Sequence, residues 1–398
     1  MDLLSLPVEV LFLIIENVSV DIPDWMSRYV LTSEQLSTTD LWSLYNVCHT
    51  TRAYSAPRLF RSVKIRFSGA IAVLLNSRRF PYPRNHLLPI LAKWALHVRE
   101  MDLWGDEESI QPEFLTLLPC FGKLTTFSVS YPPEATAFQS LLAQLATMPS
   151  LQTMSVDFMS ARTWMAPMSF WSLRSLYLCC VDHEPGISVL PALPALEVLS
   201  LNFCCYCVYC PRDMEQPCIT LNLDHLPRLR ALSISGAQEG NIICGGISPH
   251  LCELDISFSS GMSLTRILAS LGSNLEEVHI CDSEFPPEKL LSGQSYPFMR
   301  RLSILDSVSA LTVFAFSEPP SALRPLVRLN AADLENLCAW PQVIEFFQNH
   351  AVDLSLSGPV DAQCLLNQTC RLSEVVSLPG VQRIGPHWPR ASSLETEH

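Results

Sequence analysis

Glycine, positive charge and long apolar runs are all scarce in this chain, and each shortage removes a class of function. Only 14 of the 398 residues are glycine, which leaves little room for loops that cradle a phosphate or a cofactor. Neither Gly-x-Gly-x-x-Gly nor a phosphate-binding glycine loop occurs, and Gly-x-Ser-x-Gly and His-Glu-x-x-His are absent too. No cofactor and no catalytic residue is therefore expected. Lysine and arginine total 26 against 39 aspartates and glutamates, a formal net charge of -13. A general nucleic-acid binder needs a concentrated basic surface, so that partner is not expected. Charged residues make up 16% of the chain and apolar ones 48%, a balance that favours buried, folded structure over disorder. No run reaches the ~20 apolar residues that span a bilayer. The apolar stretch 8–18 contains Glu9 and Glu16, with Asp2 before it and no basic residue preceding it, so a secretory signal is not expected either. A cytoplasmic or nuclear protein is the expectation, and the 15 cysteines then read as reduced thiols.

What the chain does have is one recurring phrase: an aliphatic residue, two variable ones, a second aliphatic, one variable residue and a third. It reads Val98-Met101-Leu103, Leu124-Phe127-Val129, Leu151-Met154-Val156, Leu173-Leu176-Leu178 and Leu196-Leu199-Leu201. It continues as Leu229-Leu232-Ile234, Leu251-Leu254-Ile256, Leu275-Val278-Ile280 and Met299-Leu302-Ile304. Subtracting successive first positions gives steps of 26, 27, 22, 23, 33, 22, 24 and 24 residues. Phrase and period are those of leucine-rich repeats, whose stacked units each bury an apolar face on the next. Between phrases, Phe138, Leu141, Leu142 and Leu145, and again Leu264, Ile267, Leu268 and Leu271, fall on helical faces. Strand followed by helix at this period predicts an α/β fold. It would be a curved solenoid of the ribonuclease-inhibitor type, with a parallel sheet inside and helices outside. A consistent Asn after the third aliphatic is lacking, Asn202 being the one candidate. After Ile304 the register stays open, with Leu326-Leu329 and Leu354-Leu356 available to continue it. Residues 67–97 read as linker helices or a first-repeat cap, 98–379 as the repeat domain and 380–398 as a disordered tail.

Residues 1–66 do not follow the repeat. They open with Leu6-Pro7-Val8-Glu9-Val10-Leu11, and apolar residues recur at Leu11, Ile14, Ile15 and Val18, one stripe of a helix. Leu41, Leu44, Val47 and Cys48 make a second helical pattern, and Pro57-Arg58-Leu59-Phe60-Arg61-Ser62-Val63 a third element. This order of motifs resembles an F-box, in particular those of fungal F-box proteins that continue into leucine-rich repeats. The resemblance implies a three-helix module that docks onto a Skp-family adaptor and, through it, a cullin. It also implies that Leu6, Pro7, Val10, Leu11 and Ile14 of the first helix, with Leu41, Leu44, Val47 and Cys48 of the second, face the adaptor. Two features depart from the pattern: the connection over 19–39 is longer than usual, and Thr51 stands where the family often has an aromatic residue. Three short helices of this length leave apolar surface that either a partner or the first repeat must cover.

Strand alternation also predicts which side chains face the concave side: Asp102, Ser128, Ser155, Tyr177, Ser200, Ser233, Asp255, His279 and Ser303 along the central column. An unknown protein target is expected to lie there, with Trp104, Tyr177, Glu253, Asp255, Glu277 and His279 as contact residues. A basic segment of it would lie over the three carboxylates. Arg300 and Arg301 follow in sequence. The 33-residue step holds Cys204, Cys205, Cys207, Cys210 and Cys218. Cys205, Cys207, Cys210 and Cys218 supply four thiols, and Cys207-x-x-Cys210 has zinc-ligand spacing. With no second, separate Cys-x-x-Cys (Cys204-x-x-Cys207 only overlaps the first), a cluster of reduced thiols explains the same residues, and no metal is assigned.

Overall fold

Each aliphatic phrase ends in a strand, because its last two apolar residues lie two apart and share one face of an extended chain. The computed structural model describes residues 55–68, 71–74, 81–105, 112–130, 135–157, 170–179, 187–190, 192–203, 218–238, 242–246, 248–259, 264–271, 274–284, 296–315, 323–330, 341–350, 352–357 and 382–383. The chain forms two units, one of residues 1–182 with 191–195 and one of residues 183–190 with 196–398. Each is mixed α/β, with a parallel sheet and helices in its connections. Among the described residues no helix is long and apolar enough to cross a membrane.

The first unit contains β1 (Ser62–Ser68), β2 (Ile71–Leu74), β3 (Pro81–Pro83), β4 (Glu100–Gly105), β5 (Thr126–Ser130), β6 (Thr153–Asp157) and β7 (Ser175–Cys179). β1, β4, β5, β6 and β7 pair in parallel in that order, and β2 and β3 extend the sheet antiparallel from β1. The parallel ladder therefore begins ahead of the first phrase at Val98. Register stacks Met101, Phe127, Met154 and Leu176 in one row and Leu103, Val129, Val156 and Leu178 in the next. All eight are buried. The connections carry α1 (Arg84–Trp94), α2 (Pro112–Leu117) and α3 (Ala135–Ala146), and successive helices pack on one another. Phe138, Leu141, Leu142 and Leu145 are the buried stripe of α3, as the 3.6-residue period predicts.

The second unit repeats the scheme through β9 (Val198–Asn202), β11 (Ala231–Ser235), β13 (Glu253–Ser257), β14 (Glu277–Cys281), β15 (Arg301–Leu305), β16 (Leu326–Asn330), β17 (Asp353–Ser357) and β18 (Gln382–Arg383), all parallel. Its helices are α4 (Leu264–Leu271), α5 (Val308–Ala315) and α6 (Pro341–Asn349). Leu264, Ile267, Leu268 and Leu271 are buried in α4.

Helices do not fill every connection, contrary to expectation. β8 (Ile187–Val189), β10 (Cys218–Asn222) and β12 (Ile242–Gly245) form a second parallel sheet in the order β8, β10, β12. Their sequences, Ile-Ser-Val, Cys-Ile-Thr-Leu-Asn and Ile-Ile-Cys-Gly, are short and β-branched, which suits extended chain. The turn after β12 needs glycine. Gly246 has φ +77°, and a Cβ there would lie 2.7 Å from Cγ of Asp224.

Register after Ile304, left open by the sequence, is settled by packing. Leu326 is 40% exposed, whereas Val327 and Leu329 are buried and Val327 pairs with Ile304. A shift of one residue exchanges the faces of a strand. Leu354 is buried and pairs with Val327, so β17 continues the core row. β18 joins β17 inside the stretch expected to be disordered from residue 380, because an unpaired strand edge offers free backbone donors and acceptors.

A serine ladder replaces the missing asparagines. Three residues after the third aliphatic of successive phrases stand Ser259, Ser283 and Ser307, all buried. The backbone N–H of Ala237 donates to Oγ of Ser259 at 3.2 Å, and that of Ser259 to Oγ of Ser283 at 3.2 Å. The Ser307 hydroxyl donates to the carbonyl of Ser283. Beside this ladder the chain turns through left-handed residues at Gly236, Phe258, Asp282 and Asp306, with φ of 69°, 49°, 45° and 52°. The first three donate their N–H to the last carbonyl of the next strand and Asp306 donates to the carbonyl of Arg328 within β16, at 2.6 to 3.0 Å. Side-chain hydroxyls and bent backbone together satisfy polar groups that the strand ends would otherwise bury unpaired.

Candidate protein-binding face

The same alternation that buries the aliphatic rows turns the intervening residues outward. In the first unit the central outward row is Lys64, Asp102, Ser128, Ser155 and Tyr177. Tyr177 is 40% exposed. Trp104 lies within β4, in register with Ser130, and not after the strand. Beyond Tyr177 this row consists of one ion of each sign and two hydroxyls.

In the second unit the corresponding row is Ser200, Ser233, Asp255, His279, Ser303 and Leu326. Beside it runs Val198, Ala231, Glu253, Glu277 and Arg301. These two rows enclose a groove of about 400 Å³ that Glu253, Asp255, Glu277, His279, Arg301 and Ser233 all line. Four of the six residues expected to contact a target are thus brought together. Trp104 and Tyr177 belong to the first unit and take no part in this groove.

The carboxylates in the groove are not equivalent. Register places Glu277 opposite Arg301, and their side chains meet at 3.0 Å. Immediately before them Glu276 meets Arg300 at 3.4 Å. Of the three carboxylates expected to lie under a basic segment, Glu277 is thus paired with Arg301. Asp255 accepts a hydrogen bond on Oδ2 from the Ser233 hydroxyl at 3.3 Å. Its Oδ1 is closed to solvent and has no hydrogen-bond partner among the described residues. A shielded carboxylate oxygen with spare acceptor capacity favours an incoming N–H donor, above all a cationic one. Exposed Glu253 adds a second negative charge one strand position away.

The face holds no activated nucleophile among the described residues. Cys281, on the same side of β14 as His279, donates its thiol to Oδ2 of Asp282 at 3.1 Å. Burial pushes that thiol up to about 11, and the hydrogen bond and charge of Asp282 add to the shift. At neutral pH it is the protonated thiol, which is neither a good nucleophile nor a metal ligand. Among the described residues no three His, Cys, Asp or Glu side chains are grouped to hold a metal ion. Cys205, Cys207 and Cys210 lie outside the described residues, and Cys218 opens β10. The nine residues expected to face an adaptor, Leu6, Pro7, Val10, Leu11, Ile14, Leu41, Leu44, Val47 and Cys48, also lie outside them.

Sequence reasoning missed the Glu277–Arg301 pair, although aligning the phrases one under another places the two residues side by side. It also missed a second groove, at the N-terminal edge of the strands of this unit, which Arg228 and Arg230 of one phrase line together with Asn274 and Phe298 of later ones. No known protein family matches the chain, and no curated protein matches it.

Proposed function

We propose that this chain is a leucine-rich-repeat receptor and, through an F-box at its N-terminus, the target-recognition subunit of a Skp/cullin/F-box ubiquitin ligase. One observation carries the binding half of this reading: the groove on the second unit, with Asp255 Oδ1 unfilled and Glu253 exposed beside it. A lysine or arginine of the target seated there would supply the donor that Asp255 lacks. The ligase half rests on the motifs of residues 1–66. In this reading the parallel sheets belong to a curved, ribonuclease-inhibitor-like solenoid whose concave side is the outward face described above. The receptor works in the cytoplasm or nucleus, and it contributes no bond-making step. It accelerates transfer of ubiquitin by holding target lysines at high effective concentration.

Co-expression with a Skp-family adaptor tests this reading. Wild type should yield a stoichiometric complex, and a Leu6→Ala, Pro7→Ala, Ile14→Ala variant should lose it while keeping its circular dichroism spectrum. A soluble, folded wild type that forms no complex would overturn the ligase assignment and leave a repeat scaffold with helices that merely cap it.

A further inference from the structure

The N-terminal edge of the second unit's sheet carries a second groove, of about 700 Å³, built on a different row of residues. Its floor is a run of backbone hydrogen bonds: the N–H of Arg230 donates to the carbonyl of Glu197 at 2.8 Å, Cys252 to Arg230 at 2.9 Å, and Glu276 to Cys252 at 2.8 Å. One wall is tied down, since the side-chain amide of Asn274 donates to the carbonyl of Pro249 at 2.9 Å. Arg228, Arg230 and His250 line this groove, all exposed, together with Phe298, which is 56% exposed.

Two arginines, two residues apart, meet at this groove. Arg300, Arg301 and Arg328 are each held by a carboxylate, at 3.4, 3.0 and 2.7 Å. Arg228 and Arg230 have no carboxylate partner among the described residues. Two guanidinium groups at one groove, without a carboxylate partner among the described residues, attract an anionic side chain even in a chain of net charge -13. Guanidinium matches carboxylate geometry with two parallel hydrogen bonds. An exposed aromatic ring at the same site offers apolar contact of the kind that anchors interfaces. Glu197 and Glu276 line the groove as well, so a dianionic phosphate or a polyanion would meet like charges that a single carboxylate can avoid.

We propose that this groove binds an extended segment of a partner protein that carries one Asp or Glu side chain, held by Arg228 and Arg230, and an apolar side chain against Phe298. The site is separate from the Asp255 groove and does not depend on the ligase reading.

A synthetic peptide array tests it. Each array member fixes one residue, including Asp, Glu, Lys, Arg and phosphoserine, in an otherwise randomised peptide, and the full-length protein is the probe. Wild type should retain Asp- and Glu-fixed peptides at least about tenfold better than Lys- and Arg-fixed ones, although net charge alone favours the reverse. An Arg228→Glu, Arg230→Glu variant should invert that preference. Phe298→Ala should weaken retention and keep the preference, and Glu284→Lys, outside both grooves, should change neither. No retention, no acidic preference, or the same preference in the double variant would overturn the proposal. A phosphoserine preference over Asp and Glu of more than about tenfold would overturn its choice of carboxylate. All four positions are exposed, and a thermal midpoint equal to wild type confirms folding of each variant.

Discussion

The two units share one internal plan and differ on their surfaces. Inside, both stack aliphatic rows of the same register, Met101 through Leu176 in the first and Leu199 through Leu302 in the second, all buried. Outside, the first offers Lys64, Asp102 and small hydroxyls with Tyr177, and helices lie in its connections. The second offers a cluster of carboxylates, two parallel Glu–Arg pairs, two arginines without a carboxylate partner among the described residues, a serine ladder and a second sheet. Repetition of the core therefore does not entail repetition of the face. The core row tolerates only apolar residues of similar volume, whereas an outward position accepts any side chain that water can reach. Recognition can diverge along such a chain at little cost in stability.

Core substitutions should break the comparison least and cost most. Ile256→Ala in the second unit and Val156→Ala in the first both remove a fully buried side chain. Each should lower stability by roughly 2–4 kcal/mol in urea unfolding. A loss confined to one unit would show that the shared plan is not equally stabilising.

The serine ladder separates the units at the next level. Ser283→Ala removes the acceptor of the Ser259 N–H and the donor to the carbonyl of Cys281. A buried donor is then left unpaired, at a cost of about 1–3 kcal/mol. Ser155→Ala, on the outward face of β6, should change stability by less than about 0.5 kcal/mol.

Alkaline titration gives a smaller and signed effect. Desolvation of buried Tyr296 raises its hydroxyl from the ordinary 10.0 to about 12. A group whose pKa is higher in the folded state contributes stability that is present below its unfolded value and lost as pH rises towards the folded one. Wild type should therefore lose stability between pH 10 and about 12, and Tyr296→Phe should flatten that stretch of the pH–stability curve.

The smallest effect belongs to the ion pair. Arg301 and Glu277 have side chains 72% and 47% exposed, so Glu277→Gln should cost less than about 1 kcal/mol in chemical denaturation. It should nonetheless free Arg301 in the groove and weaken binding of a basic target segment.

Much of this was legible in the sequence, for physical reasons that also explain the rest. Strands and the buried faces of α3 and α4 follow from spacing alone, because extended chain and helix have fixed periods. Outward residues such as Asp255 and His279 follow from the same alternation. The second sheet was not legible: β8, β10 and β12 are three to five residues long, too short to show a period. The register at Leu326 stayed open because Leu326, Val327 and Leu329 are all aliphatic and only packing decides which faces inward. Serine at the ladder position was visible at 259, 283 and 307, but a search for asparagine passes over it. Arg228 and Arg230 flank Leu229 in the sequence, but the groove they share with Phe298 emerges only when register sets neighbouring repeats side by side.

The most direct measurement is photo-crosslinking in cells, with a benzophenone amino acid placed at Ser233 in the second unit and, separately, at Ser155 in the first. The account predicts discrete protein adducts at position 233 that disappear when Glu253→Lys and Asp255→Lys are introduced, and few adducts at position 155. Equal adducts at both positions, or adducts at 233 that survive the charge reversal, would contradict the assignment of target binding to the second unit's groove.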